Sequence, residues 1–266
     1  MKVLIAISNS FCANFIRGQG KYLKECGHDV VIVSSFGEEV ERLKKDEKVK
    51  VIYIPLKREI SFFYDLISLF KIIKLVFQEK PDIINAGNPK TGFLFSLAHV
   101  FFLKIPLVFT MRGLRSDTLT GLKKKIIFIT EKLSCLFSDK VIAISPSLKK
   151  HAVNLGLVSN NKCVVLSKGS SNGVNIEKFQ NTKDSQNDAD ILKERLGIEK
   201  KDFIISFIGR VTRDKGVEEM IWAFVEFNKQ FDDTKLIIAG PMEKEDPLTN
   251  SCYKEIKIND DIFYLG

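Results

Sequence analysis

Residues 203–227, FIISFIGRVTRDKGVEEMIWAFVEF, hold the fold in miniature. The run 203–208 is apolar nearly throughout, as in a strand of a sheet covered on both faces. Gly209 permits a tight turn, Arg210 follows it, and Lys215-Gly216 opens an amphipathic helix at 217–231. Strand, turn and helix in that order put two cations and a helix N-terminus at the carboxyl edge of a parallel sheet, where doubly wound folds bind ligands. Free amides at a helix start favour anions. Arginine can grip a phosphate with two donors, and lysine adds a movable point charge. The alternative is a solvated loop with ordinary surface cations.

The same alternation runs along the whole chain. Strand-like runs fall at 3–7, 29–34, 49–55, 82–85, 107–110, 140–144 and 163–166. Helical patterns lie between most of them, at 14–26, 61–78, 91–103, 119–137 and 146–155. This repetition predicts a parallel sheet with crossover helices on both faces. The polar stretch 180–190, QNTKDSQNDAD, lacks apolar periodicity and reads as a linker. The alternation then restarts with helix 191–196, strand 203–208, helix 217–231, strand 235–239, helix 249–256 and strand 262–265. The expectation is an α/β protein with two doubly wound, Rossmann-like domains: 1–180, a linker at 181–190, and 191–266. Three strands are too few to close a doubly wound core, so the second domain reads as incomplete.

Composition narrows the function classes. The 266 residues are 45% hydrophobic and 28% charged, which excludes a disordered chain. The five cysteines, Cys12, Cys26, Cys135, Cys163 and Cys252, stand at no metal-ligand spacing. Their odd number argues for reduced thiols and a cytoplasmic setting. Only 3 histidines are present, which disfavours a His-rich metal site. Residues 1–184 hold 29 Lys and Arg against 16 Asp and Glu, an excess of 13 positive charges. Residues 185–266 hold 12 against 17, an excess of 5 negative charges. Phosphates or an anionic membrane suit the basic part. Nucleic acid is the weakest partner, since no basic tract exceeds three residues and no binding motif is present. The start, residues 1–7, reads as a buried strand rather than a signal sequence. Residues 92–111 have the length of a membrane span, but Lys104 and Pro106 interrupt them, so they read as a buried helix and strand.

Several stretches resemble family 4 retaining glycosyltransferases. Gly209-Arg210, four residues, then Lys215-Gly216 and a helix resemble that family's donor-diphosphate loop. FIRGQGKYLKECGHDVVIVSS (15–35) resembles its first helix and second strand, and SDKVIAISPSLKKHAVNLG (138–156) its strand into a Ser-rich turn. SNGVNIEKF (171–179) resembles the element that closes its N-terminal domain. NPKTGFL (88–94), RGLR (112–115) and EKLSC (131–135) resemble the bacterial surface-polysaccharide branch.

The resemblance implies two domains facing a cleft, the first taking the acceptor and the second the nucleotide-sugar. It implies that Arg210 and Lys215 stabilise charge on the leaving diphosphate, with Gly209 and Gly216 beside them, and that no metal or other cofactor is needed. Ser8, Asn9 and Ser10, after the first strand, would form a loop approached by the donor, or else an ordinary turn. Many relatives carry His after the fourth strand. This chain has Asn85-Ala86-Gly87-Asn88, which can position a hydroxyl but supplies no general base. Asn85, Asn88, Lys90, Arg112 and Arg115 are the candidate acceptor contacts, suited to a polyprenyl diphosphate sugar. Arg112, Arg115 and Lys123–Lys125 bracket the loop after the fifth strand, and the alternative for them is ordinary solvated charge.

Two further patterns are set aside. Asp188-Ala189-Asp190 has the spacing of metal-dependent transferases but lies in the polar stretch with no strand before it. Glu218 and Glu226 have the spacing of the family's Glu-x7-Glu donor motif but lack its Gly-rich approach, so that motif is expected beyond residue 266 and this chain alone is expected to have little or no transferase activity.

The implied activity is transfer of a hexose or N-acetylhexosamine, with UDP the favoured nucleotide, to a lipid-linked or growing surface glycan. The alternatives are a non-catalytic fragment that binds acceptor or membrane, and a nucleotide-sugar epimerase of the same architecture. Helix 61–78 is apolar almost all round, including Phe62, Phe63, Phe70 and Phe77. Either it is sandwiched by a neighbouring helix, or it docks on an anionic membrane at the inner face of the cell envelope.

Overall fold

The protein is represented by a computed structural model that describes residues 1–56, 61–243 and 246–266. The side chain of Phe62 also lies outside the described residues. Two compact units divide between Val174 and Asn175.

In the first unit, seven parallel strands are ordered β3-β2-β1-β4-β5-β6-β7 among the described residues. They are β1 (Lys2–Ala6), β2 (Asp29–Ser34), β3 (Lys50–Tyr53), β4 (Ile83–Ala86), β5 (Leu107–Met111), β6 (Lys140–Ala143) and β7 (Cys163–Val164). Leu4 pairs with Val31 on one side and Ile84 on the other. The strands are apolar because both faces are covered. Leu4, Ala6, Ile84 and Ala86 pack under helices α3 (Phe62–Glu79) and α4 (Pro89–His99). Phe109, Met111 and Val141, on that same face, pack with Cys135 of α5 (Gly121–Phe137). Val3, Ile5 and Ile7 face the other side, with the 3-10 turn Ser10–Phe15 and helix α2 (Glu38–Glu47). Each fully buried Leu or Ile here stabilises the fold by about 1.5–3 kcal/mol. Helix α4 lies tight on β5: a Cβ at Gly92 would come 2.6 Å from the Phe109 ring. The strand order turns back at β1 and β4, so the loops after them diverge and leave a crevice at the carboxyl edge.

The second unit has the parallel order β10-β9-β8. Its strands are β8 (Phe203–Ile208), β9 (Thr234–Ala239) and β10 (Ile262–Tyr264), with helices α8 (Val217–Asn228) and α9 (Asn250–Ile258). Val217, Ile221, Phe224, Leu236, Ile238 and Cys252 form its core.

The structure differs from the sequence reading at four places. The helix expected at 14–26 is a 3-10 turn followed by α1 (Gln19–Glu25), because Gly18 adopts φ +85° between them. Helix α2 went unread, since Val40 and Leu43 are its only buried apolar residues. The helix expected to reach 103 ends at His99. The expected linker 181–190 is mostly helix: α7 (Lys183–Arg195) includes it from Lys183 on, and the expected helix 191–196 is its last part. Thr182 explains the start. Its hydroxyl accepts the Ser185 amide at 3.2 Å, and the Ser185 hydroxyl accepts the Thr182 amide at 2.9 Å. A capping box thus supplies what apolar periodicity did not. Helix α6 (Pro146–Asn154) lies as read.

Among the described residues no helix is long and apolar enough to cross a membrane.

Candidate functional site

The β8–α8 connection places Gly209, Arg210, Lys215 and Gly216 as the sequence predicts. A 3-10 turn, Arg213–Lys215, leads to Gly216 at φ +71°, which caps the start of α8. Arg210 does not project freely. Its Nη1 donates to Glu243 Oε2 at 2.8 Å and its Nη2 to Asp214 Oδ2 at 3.2 Å. Burial works against its charge, but the two carboxylates outweigh burial and push its pKa up. Asp214 is held below the usual carboxylate range, first by the Thr212 hydroxyl and then by Arg210 and Lys215. Arg213 Nε reaches Asp246 at 3.2 Å, and Asp246 also accepts the Asp214 amide at 2.9 Å. Lys215 is exposed, and its side chain has no hydrogen bond or ion pair among the described residues. The loop therefore offers one paired cation, one exposed unpaired cation and the amides of a helix start, an arrangement that can hold a diphosphate.

The carboxyl edge of the first unit gathers the other candidates. Asn88 donates to Ser8 Oγ at 2.8 Å and caps α4 by accepting the Thr91 amide at 3.2 Å. Asn9 caps the 3-10 turn by accepting the Cys12 amide at 3.1 Å. The Ser10 hydroxyl donates to Glu39 at 2.9 Å and accepts the Val40 amide at 3.0 Å, which fixes the start of α2. Ser8, Asn9, Ser10 and Asn88 thus all carry local structural bonds. Asn85 accepts from the Thr110 hydroxyl at 2.8 Å.

Arg112 is the least expected of these residues. Its Nε donates to Ser171 Oγ at 2.8 Å, its Nη1 to the Gly87 carbonyl, and its Nη2 to the Phe15 carbonyl at 3.5 Å. It ties three loops together with no carboxylate partner among the described residues. Burial pulls its pKa down. Asn85, Thr110, Arg112, Gln19 and Ser171 line a cavity of about 280 Å³ here.

Lys90 and Arg115 lie apart from that cavity. Both line a narrow notch between α3, α4 and α5. Lys90 pairs with Asp65 at 2.5 Å. The loop that carries Arg115 is folded around Glu131. That buried carboxylate accepts the Arg115 amide at 2.7 Å and the Ser116 hydroxyl at 2.6 Å. Burial pushes the Glu131 pKa up, and these hydrogen bonds offset part of the rise. In the same motif burial pushes the Cys135 thiol up to about 12, so it is a packing residue.

The patterns set aside in the sequence have structural partners. Glu218 accepts the Thr249 amide that begins α9, and Glu226 pairs with Lys229 at 2.6 Å. Asp188 and Asp190 lie on exposed α7, where Asp190 meets Lys193 at 3.5 Å. Among the described residues no group of three His, Cys, Asp or Glu side chains could hold a metal.

Sequence reasoning missed Glu243, Asp214 and Asp246 around the loop, Ser171 and Gly87 around Arg112, and the role of Glu131. A carboxylate 33 residues from its arginine leaves no local signal.

Comparison with known proteins shows the family and the fold. Residues 13–178 match the family Glycosyltransferase Family 4, and residues 188–266 match Glycosyl transferases group 1. The capsular polysaccharide biosynthesis glycosyltransferase CapM of Staphylococcus aureus is 36% identical over 265 residues, covering 98% of this chain and 66% of CapM. The Escherichia coli UDP-Gal:alpha-D-GlcNAc-diphosphoundecaprenol alpha-1,3-galactosyltransferase is 24% identical over 234 residues, covering 83% of this chain and 56% of that enzyme. The crystal structure of Anabaena HepE in complex with UDP and glucose is similar in fold, with TM-score 0.76 at 16% identity. That match covers 100% of this chain and 69% of HepE. The chain thus spans 56–66% of the length of these two curated relatives. From the match over residues 13–178, the chain belongs to glycosyltransferase family 4.

Proposed function

We propose that this chain contributes the acceptor unit and the diphosphate loop of a retaining glycosyltransferase. The enzyme moves a hexose or N-acetylhexosamine from a nucleoside diphosphate, UDP in first place, to a lipid-linked or growing surface glycan. The observation that carries this reading is the Gly209–Gly216 connection, with Arg210 held by Glu243 and the Lys215 side chain exposed at the start of α8. The names of the relatives support the donor and acceptor classes: a UDP-galactose donor and a diphosphoundecaprenol acceptor in the E. coli enzyme, UDP and glucose in HepE.

The chemistry follows from charge. As the glycosidic C–O bond breaks, further negative charge builds on the departing diphosphate, and Arg210 and Lys215 stabilise it more than they stabilise the less charged diphosphate of the intact donor. The acceptor oxygen attacks the same face, and its proton passes to the departing phosphate oxygen. Such a step asks for no protein base, consistent with Asn85 and Asn88 in place of a histidine. Arg112 holds the acceptor-side loops together. An anionic membrane surface, expected from the positive excess of residues 1–184, belongs to the same reading.

The test is a transfer assay of the whole enzyme to which this chain contributes, with radiolabelled UDP-hexoses and a polyprenyl diphosphate sugar. The expected product is a labelled lipid whose new linkage keeps the donor's α configuration by NMR. An inverted linkage, or epimerised UDP-sugar without transfer, contradicts the proposal.

A further inference from the structure

The strands of the first unit run parallel, so all begin at one edge of the sheet and end at the other. The cavity beside Arg112 lies at the carboxyl edge. The amino edge has a recess of its own. There β6 begins at Lys140, α4 ends at His99 and α5 ends at Phe137. Between them and the turn at 159–162 lies a cavity of about 550 Å³. Helix α4 has 11 residues and is about 16 Å long, so one helix length separates this recess from Asn88 at the other end.

Part of its lining is apolar. Leu103 and Leu136 are 71% and 60% exposed, and the Phe137 ring is 39% exposed. The rest is polar and positive. Lys140 and Lys162 line it, and neither has an ion pair among the described residues. Lys162 Nζ donates to the Leu136 carbonyl at 2.7 Å, an acceptor without net charge. Burial pulls the Lys162 pKa down, as for an ammonium short of water and counter-charge. The acid of the lining, Asp139, is engaged: its Oδ2 accepts the Leu107 amide at 2.7 Å and stands 3.6 Å from His99 Nε2. The His99 ring is set between the Phe137 and Ile105 carbonyls, 3.0 Å from each. The Asn161 side chain, on the turn, has no hydrogen bond among the described residues, so its amide is available as a donor.

A recess of this volume, part apolar and part cationic, has the size and make-up of a small-molecule site. A phosphate carries enough acceptor oxygens for both ammonium groups and the Asn161 amide. Inorganic phosphate alone would leave the apolar lining wet, and an uncharged ring would leave Lys162 without a counter-charge. We propose that the amino-edge recess binds a small aromatic phosphate, its ring against Leu103, Leu136 and Phe137 and its phosphate at Lys140 and Lys162. The site is independent of the transferase reading, since it shares no residue with the β8–α8 loop or the cavity beside Arg112.

The experiment is titration of the 15N-labelled 266-residue chain with phenyl phosphate, followed by amide NMR. Saturable shifts are expected at the amides of Lys140, Asn161 and Lys162, and none at residues 209–216. Inorganic phosphate and phenol, each lacking one half of the ligand, should bind at least about tenfold more weakly. Lys140→Gln should weaken phenyl phosphate about fivefold, and Lys140→Gln with Lys162→Met about 20-fold. Leu103→Ser should weaken phenyl phosphate and leave inorganic phosphate unchanged. Thermal melting checks that each variant keeps its fold; Lys140 and Leu103 are exposed, so those two changes test the site even where Lys162→Met destabilises the chain. Absence of saturable shifts at these amides up to about 10 mM ligand overturns the inference. So does wild-type affinity in the Lys140→Gln variant. Inorganic phosphate that binds as tightly as phenyl phosphate would mark an adventitious ion only, and overturns it as well.

Discussion

Arg210 Nη1 stands 2.8 Å from Glu243 Oε2, so the loop's fixed cation already has an anionic partner. A diphosphate at this loop must share Arg210 with Glu243 and Asp214. The carboxylates orient the guanidinium and also compete for it. Glu243→Gln removes the competing charge and keeps an acceptor. Exposed pairs of this kind are worth up to about 1 kcal/mol, so the variant should bind pyrophosphate about two- to fivefold more tightly. Isothermal calorimetry on wild type and variant checks this; weaker binding by the variant would show that orientation outweighs competition.

Gly240 follows β9 with φ +136°, and a Cβ there would overlap the Gly209 carbonyl. The two strand ends can approach only because Gly240 lacks a side chain. Gly240→Ala should cost about 2–4 kcal/mol through overlap and strain. Urea denaturation measures it, and a cost under about 0.5 kcal/mol would mean the strand ends separate freely.

Glu79 gives the first unit a pH dependence. Hydrogen bonds from Lys2 and then Lys50 outweigh burial and hold its pKa below the ordinary value of 4.5. A depressed folded pKa adds stability above 4.5 that is lost as pH falls through the lower folded value. Glu79→Gln should therefore cost about 1 kcal/mol at neutral pH, and the gap to wild type should close below pH 4.5. Paired thermal melts across that range test the sign; a gap that widens on acidification contradicts it.

Glu131 shapes the loop between β5 and α5. Glu131→Ala leaves the Arg115 amide and the Ser116 hydroxyl and amide without their buried acceptor. The expected loss is about 2–4 kcal/mol, against less than about 1.5 kcal/mol for Glu131→Gln, which retains an acceptor oxygen. Chemical denaturation of both variants decides, and equal losses would show that the carboxylate does not organise the loop.

The strands were legible because a doubly wound sheet is covered on both faces, and continuous apolar runs such as Val30–Val33 follow directly. The β8–α8 loop was legible for the same reason: residues 203–208 announce the strand and Gly209 the turn. Polar helices were not. Helix α7 buries none of its residues, so only the capping pair Thr182 and Ser185 marked it. The candidate site was legible in position more than in bonding. Asn88 reads as a hydroxyl contact, yet its carbonyl oxygen caps α4. Arg112 reads as a phosphate contact, yet it clasps Ser171, 59 residues away. Such pairings are set by the fold and leave no local trace.

The central claim is that Arg210 and Lys215 bind the donor diphosphate, and calorimetric titration of UDP into wild type and the Arg210→Ala, Lys215→Ala double variant tests it most directly. Loss of two charge-assisted phosphate contacts at about 1.5–3 kcal/mol each should weaken UDP binding at least 100-fold. Wild-type UDP affinity in the double variant would contradict the account.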